Sequence, residues 1–331
     1  MMAESSRRDF VKNSLIAGTA INMLSTCDSH TSKLHANSVE TKDSELVPSF
    51  TIQPRYHRWH VDVGVEWNET NTGYATLNWS IPRSRVAIVL IDVWDHHYLK
   101  DTEARTESVI QRKLVPLLDL CRKEKVQIIH APSSPIARQH RNWVPLKDAM
   151  QVPNKQSDWP PIAFRVKSGI YETYRRPHEP REVELVKLRA ERKLHPLIQP
   201  IGDEPVVANG DELHNYCKQN EILFLMFAGF NTNACVLLND YGTIAMTQRG
   251  YEVIVIRDCT TGMESPETQA SLAQTTGAIL FLEMFGKYSI TSDEIRNGLL
   301  ARTGATTHCR SPKKTTQSIT ELRSLSLLTG K

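Results

Sequence analysis

Two uninterrupted apolar runs stand out along the chain. Val86–Ile91 ends in Asp92, and Leu223–Ala228 ends in Gly229. Apolar runs of strand length bounded by turn formers predict strands covered on both faces. Between them, Glu103 to Lys123 carries Val109, Ile110, Leu114, Leu117, Leu118 and Cys121 at helical spacing, with Pro116 inside predicting a kink or a break. Val126 to Ile129 predicts a second strand, ending at His130. Glu204 to Ala208 predicts a short third, followed by a helix capped by Asp211 and running to about Lys218.

After Gly229, the polar Asn231-Thr232-Asn233 leads into a helical pattern that opens at Cys235 and continues through Met246 until Gly250 stops it. Val253 to Ile256 resumes as a strand, Glu267 to Gly277 suits a helix, and Ala278 to Leu282 suits a final strand. Thr291 caps a last helix through Leu300. Strands alternating with helices predict an α/β fold: a doubly wound, mostly parallel sheet of about six strands with helices on both faces, a Rossmann-like three-layer arrangement.

Composition narrows the function. The 331 residues are 40% apolar with a net charge of +3. Without a long basic run, nothing in this balance supports nucleic-acid binding. Six scattered cysteines form no CxxC pair, so neither a zinc site nor a disulfide framework is indicated.

The N-terminus reads differently from the rest. Arg7-Arg8, Phe10 and the short apolar run Leu15–Ile21 resemble a Tat export signal over residues 1–36, implying the Tat export machinery as a partner and a periplasmic location. Cleavage is expected either before Cys27, which would carry a lipid anchor to the membrane, or after Ala36. Residues 37–50 read as a disordered tether and 51–84 as an irregular, aromatic-rich arm that packs onto the domain. The main domain is expected at 85–302, with an insertion at 131–203 whose segment Arg181–Lys193 forms an amphipathic surface helix; 303–331 reads as a loose tail.

In a doubly wound sheet the strand C-termini gather at one crevice, so Asp92 and Cys235 can meet despite their separation in sequence. A carboxylate beside a thiol can accept its proton, and a cysteine near a helix N-terminus lies in a field that favours thiolate. For each residue there is a plain alternative: Cys235 as a small core residue, Asp92 as a strand-end cap.

The segments Val86–Asp92 and Gly229-Phe230-Asn231-Thr232-Asn233-Ala234-Cys235-Val236, followed by Gly250-Tyr251-Glu252-Val253 and Asp258, resemble the isochorismatase-like cysteine hydrolases. That group includes nicotinamidases and N-carbamoyl amidohydrolases. The resemblance implies Cys235 as nucleophile, Asp92 as general base, a cis peptide at Phe230–Asn231, and an oxyanion site made by the amides of Asn231 and Cys235. It implies hydrolysis of a small amide or related C–N bond through a thioester on Cys235, and a homo-oligomer. Trp94, His96, His97, His130 and Phe230 are the expected substrate contacts.

Two departures stand against it. The family lysine, expected at the end of the strand before the nucleophile strand, is replaced by Val206-Val207-Ala208-Asn209, and the segment after Asp92 reads Val93-Trp94-Asp95-His96-His97-Tyr98. Either a histidine (His96, His97 or His130) takes over the role of the missing cation, each having a hydrogen-bonded structural role as its plain alternative, or the chemistry has changed or been lost. The Asp-x-His pattern by which nicotinamidases hold a metal is absent, so neither a metal nor a cofactor is expected. Two alternatives stay open: cysteine-independent hydrolysis with Asp92 as acid, and a non-catalytic binding protein for a small molecule.

Overall fold

The computed structural model describes residues 48–146 and 159–301. The export signal, Cys27, Ala36 and the C-terminal tail lie outside the described residues. Nine strands are seen among them: β1 (Ser49–Ile52), β2 (Arg55–Arg58), β3 (Gly73–Thr76), β4 (Trp79–Pro82), β5 (Val86–Ile91), β6 (Gln127–Ala131), β7 (Phe224–Phe230), β8 (Glu252–Thr261) and β9 (Tyr288–Ile290). Seven form one sheet in the order β3-β2-β9-β8-β7-β5-β6, while β1 and β4 pair separately as an antiparallel ribbon. From β9 to β6 every neighbouring pair is parallel, and β2 and β3 join antiparallel at the edge.

The apolar runs behave as expected of strands covered on both faces: every residue of β5 is buried. Odd and even residues feed two different cores. Ile88, Leu90, Met226, Ile254 and Ile256 pack against Leu114, Leu117, Leu118, Ile295 and Leu299 on one face of the sheet. Ala87, Val89, Ile91, Leu225, Phe227 and Val253 pack against Leu213, Cys217, Val236 and Met246 on the other. Consecutive residues thus bury opposite sides, and three layers result.

The arm at 51–84 is more ordered than its sequence suggested. It supplies β2 to β4 and the end of β1, whose Ser49 and buried Phe50 show that order begins within the expected tether at 37–50, and β2 with β3 extends the sheet past β9. Tyr56 and Trp79 meet Tyr288 edge-on, at 6.2 and 4.7 Å.

The helices also depart from expectation. The long helix is α1 (Lys100–Val109) and α2 (Val115–Lys123) joined by a π turn, Ile110–Leu114, with Pro116 at the start of α2. A proline N–H is missing from the ladder there, and the Val115 amide instead reaches the Ile110 carbonyl. The expected third strand, Glu204–Ala208, makes bridges to His130 and Trp143 at Val206 and is no regular strand. Helix α6 (Gly210–Gln219; α3 to α5 are Ser134–Gln139, Ile162–Arg165 and Glu182–Glu191) is capped by Asn209, whose side chain accepts the Glu212 amide, rather than by Asp211.

The helical pattern after Cys235 is also broken. It forms a π turn at Thr232–Val236, then an interruption around Asn239–Gly242, then α7 (Thr243–Gln248). Residues 278–282 are not a strand: they lie inside α8 (Ala273–Met284), with Ala278, Ile279 and Leu282 buried at helical spacing and Phe281 exposed. A short apolar run cannot by itself distinguish a buried strand from a helix face. The last strand is β9, just beyond. Helix α9 (Ser292–Leu300) begins at Thr291 with a reciprocal Thr291–Glu294 capping box.

Candidate active site

The strand order reverses around β5, with β6 on one side and β7 on the other. At such a switch point the loops leaving two neighbouring strands diverge and open a crevice at their C-terminal ends. Ile91 pairs with Gly229 there, so Asp92 and the Gly229 turn leave the sheet side by side. The fit is tight: a Cβ on Gly229 would lie 1.9 Å from the Ile91 carbonyl oxygen, and its φ of +109° belongs to glycine. Asp92 itself has φ +48°, which swings its carboxylate out of the strand's alternation.

The turn after β7 carries the cis peptide at Phe230–Asn231, and the π turn that follows holds Cys235, partly buried. The Cys235 thiol and the Asp92 carboxylate lie side by side here and act on each other directly. The Asn231 backbone N–H points at the same sulfur and favours its ionised form. The loop is braced from below by Thr232, whose hydroxyl meets that of Thr260 at 2.6 Å, while Thr260 donates to the Gly229 carbonyl at 2.8 Å.

Burial dominates the Asp92 electrostatics. It pushes the carboxyl up to about 6, against the Cys235 hydrogen bond, the Ser133 amide, the Trp94 indole N–H and the charge of Arg192, all of which favour the carboxylate. Its Oδ1 is buried with no donor at full hydrogen-bond geometry. The Cys235 thiol is pushed up to about 12, first by burial and then by the Asp92 charge. The expectation of a thiolate-favouring helix terminus is therefore overturned: a single π turn has too little aligned backbone dipole to offset burial beside a carboxylate. The resting pair is thiol and carboxylate.

Two residues at this site were not singled out from the sequence. Tyr241 is buried, and its hydroxyl is raised by burial and by the charges of Asp92 and Cys235. Arg192 is the cation. Its guanidinium lies 4.4 Å from the centre of the Trp94 ring and acts through space on Asp92 and Cys235 alike. It follows α5 and heads a strap that runs antiparallel to the segment after β5: the Asp95 amide donates to the Lys193 carbonyl, the His195 amide to Val93, and Trp94 bridges Leu194. This long-range pairing delivers the cation from a segment far from the expected lysine position, where Asn209 serves instead as a helix cap.

The histidines do other work. His96 donates to the Leu188 carbonyl at 3.0 Å and pairs with Asp95, tying α5 to the site. His97 accepts the Leu99 amide, stacks on Tyr98 at 4.5 Å, and is lowered to about 4 by burial and by Arg192. His130 is fully buried, donates to Glu204 at 2.9 Å, and is likewise lowered by burial. Burial disfavours charge on His97 and His130, and His96 is turned to Leu188 and Asp95, so the cation that acts on Asp92 and Cys235 is Arg192. Phe230 is wholly buried in the core. Of the expected substrate contacts, the structure brings Trp94 to the Asp92–Cys235 pair, with His97 beside it, and leaves His96, His130 and Phe230 in supporting positions. Among the described residues, no three of His, Cys, Asp and Glu converge in a way that could hold a metal ion.

Several solved structures resemble this one. A cysteine hydrolase from Pseudomonas syringae pv. phaseolicola 1448A is 16% identical, with 67% of this chain and 95% of that one covered, at a TM-score of 0.43. An isochorismatase-like hydrolase from Alkaliphilus metalliredigens is 19% identical, with 64% and 98% covered, at 0.41. A hydrolase of the isochorismatase family from Chromobacterium violaceum ATCC 12472 is 15% identical, with 65% and 94% covered, at 0.39. The search of curated proteins gives no match. The family model for the isochorismatase domain matches residues 86–282, well over half of the chain and including both Asp92 and Cys235. The chain therefore belongs to the isochorismatase family of hydrolases.

Proposed function

We propose that the protein is a cysteine hydrolase of small amides or related C–N bonds. The observation that carries this reading is the juxtaposition of the Cys235 thiol and the buried Asp92 carboxylate at the switch point of the sheet. As Cys235 Sγ attacks the substrate carbonyl carbon, Asp92 takes the thiol proton, and the amide N–H groups of Asn231 and Cys235 receive the developing oxyanion. Collapse breaks the C–N bond, Asp92 returns the proton to the departing nitrogen, and a thioester remains. Water, deprotonated by Asp92, then adds to the thioester and releases the acid and the thiol. Arg192 lowers the energy of each anionic state in turn, so the reason to favour a non-catalytic binding protein, the lack of a cation, falls away.

The raised Asp92 supports a second reading, in which its protonated form acts as an acid in hydrolysis that bypasses the cysteine. Mass spectrometry after acid quench separates the two. A covalent acyl adduct on Cys235 is expected, with loss of turnover in both Cys235→Ala and Asp92→Asn. Full turnover in Cys235→Ala would remove the first reading and leave the second.

The export reading of the leader goes with this proposal and places the enzyme outside the cytoplasm. Cell fractionation of an Arg7→Lys, Arg8→Lys double variant should find the chain retained inside; unchanged export would dismiss the Tat assignment.

A further inference from the structure

Helix α8 carries apolar residues on its outer face as well as its inner one. Inward, Ile279 and Leu282 pack on Val255 and Leu237, and the helix rests on β2, β8 and β9. Outward, Ala273, Gly277, Phe281 and, at the C-cap, Phe285 recur every four residues, and all four are exposed. Positions four apart lie one above the other, so the four form a single stripe. The Phe281 and Phe285 rings meet at 5.0 Å, and Trp59 of the arm adds a third ring 6.5 Å from Phe285. The Trp59 indole N–H donates to the Met284 carbonyl at 2.9 Å, which fixes the ring at the end of the helix. Even so, Trp59, Phe281 and Phe285 stay 37%, 41% and 49% exposed.

Gly277 points the same way. A Cβ there would meet open space, so the chain's own packing does not call for glycine. Glycine inside a helix weakens it relative to alanine. What the missing side chain provides at an exposed position is room for another surface to come close.

The stripe has unlike ends, small residues first and rings last. A second copy turned end for end would set Phe281 over Gly277 and Phe285 over Ala273, and the same contacts would repeat across the axis. The charges obey the same rule. Glu264 accepts the Gln274 and Thr275 amides at the start of α8, and Glu267 stands exposed nearby. Lys287, just past the other end, donates to the Phe285 carbonyl. Among the described residues none of these three charges has an ion-pair partner, and the end-for-end arrangement brings acid beside base at both ends.

We infer that α8 and Trp59 form the face through which two copies of this chain associate, with the helices antiparallel about a two-fold axis at the level of Ile279. Trp59, Phe285 and Lys287 lie outside residues 86–282, so part of this surface is built by what the chain adds to the family domain.

Sedimentation equilibrium of the full chain should find a dimer that weakens as salt is raised. Phe281→Ala, which removes the large partner, should weaken it about tenfold or more. Gly277→Phe, which fills the gap, should weaken it as well, and both variants should still melt cooperatively. The double variant Gly277→Phe, Phe281→Ala exchanges large for small along the stripe and should recover much of the association. A chain that stays monomeric at every concentration would overturn the interface, as would a dimer indifferent to both single variants. A dimer broken instead by Ile170→Glu or Val183→Glu, on the exposed segment before the strap, would place the contact elsewhere and overturn it too. A double variant weaker than either single one would overturn the antiparallel pairing.

Discussion

Asp92 should set the pH dependence of the proposed hydrolysis, because burial raises its carboxyl to about 6. Below that value it is protonated and cannot accept the Cys235 proton, so kcat/KM should fall on the acid side about tenfold per pH unit, with the limb centred near the free enzyme's Asp92. Arg192 favours the carboxylate, so removing it should move the limb to higher pH as well as lower the plateau. A pH–rate profile of Arg192→Ala checks the sign; a limb that moves down in pH would contradict the role given to the guanidinium. Arg192→Lys should keep the direction of the charge and lose the flat stacking on Trp94.

At the residue scale the sequence pointed to Asp92 and Cys235, which the fold brings together, but not to what surrounds them. Asp92 and Cys235 were legible because each stands at the end of a pattern, a carboxylate closing an apolar strand and a cysteine opening a helical run. Arg192 was hidden because its role depends on the antiparallel pairing of 193–195 with 93–95, which no local periodicity records. The one available signal was an arginine two residues before Leu194, just past the end of an otherwise exposed helix. Tyr241 gave less still, because the interruption that brings it inward lies within an apparently continuous helical pattern.

Among the elements, the turn that joins β7 to the Cys235 segment has least room to change. Gly229→Ala would set a Cβ against the Ile91 carbonyl in a backbone conformation that L side chains rarely adopt. A loss of about 3 kcal/mol or more is expected, seen as a drop in the denaturation midpoint. A midpoint within error of wild type would mean that the two strand ends can part more easily than their register indicates. The strands themselves were legible, since a strand covered on both faces must be apolar at every position. Elements covered on one side were read less well. Residues 278–282 follow α8 because Gly277 sits within the helix and the chain turns only at Gly286.

For the whole molecule, the N-terminal arm is bound to the domain by a charge as well as by aromatics. Arg55 pairs at 2.9 Å with Glu283, whose side chain is fully buried in the last turn of α8. Glu283 also accepts the Ser289 hydroxyl, while its second oxygen has no partner. Arg55→Ala would leave a buried carboxylate without its cation, a change that typically costs about 3–5 kcal/mol. Adding Glu283→Gln should restore part of the loss, and a thermal melt of the single and double variants tests this. Equal destabilisation in both would place the contribution in the packing of the arm and not in the ion pair.

The strap that carries Arg192 also separates two evolutionary fates. Helix α5 has no buried residue, whereas Lys193 to His195 are fixed to 93–95 by backbone pairing that asks little of the side chains beyond Leu194 and His195. Substitutions, insertions or proteolytic cuts in the first half of α5, Glu182–Lys187, can therefore accumulate without displacing the charge beside Asp92. Relatives of this chain should be free to vary that segment in length and sequence, adjusting what the mouth admits while the reacting centre stays the same.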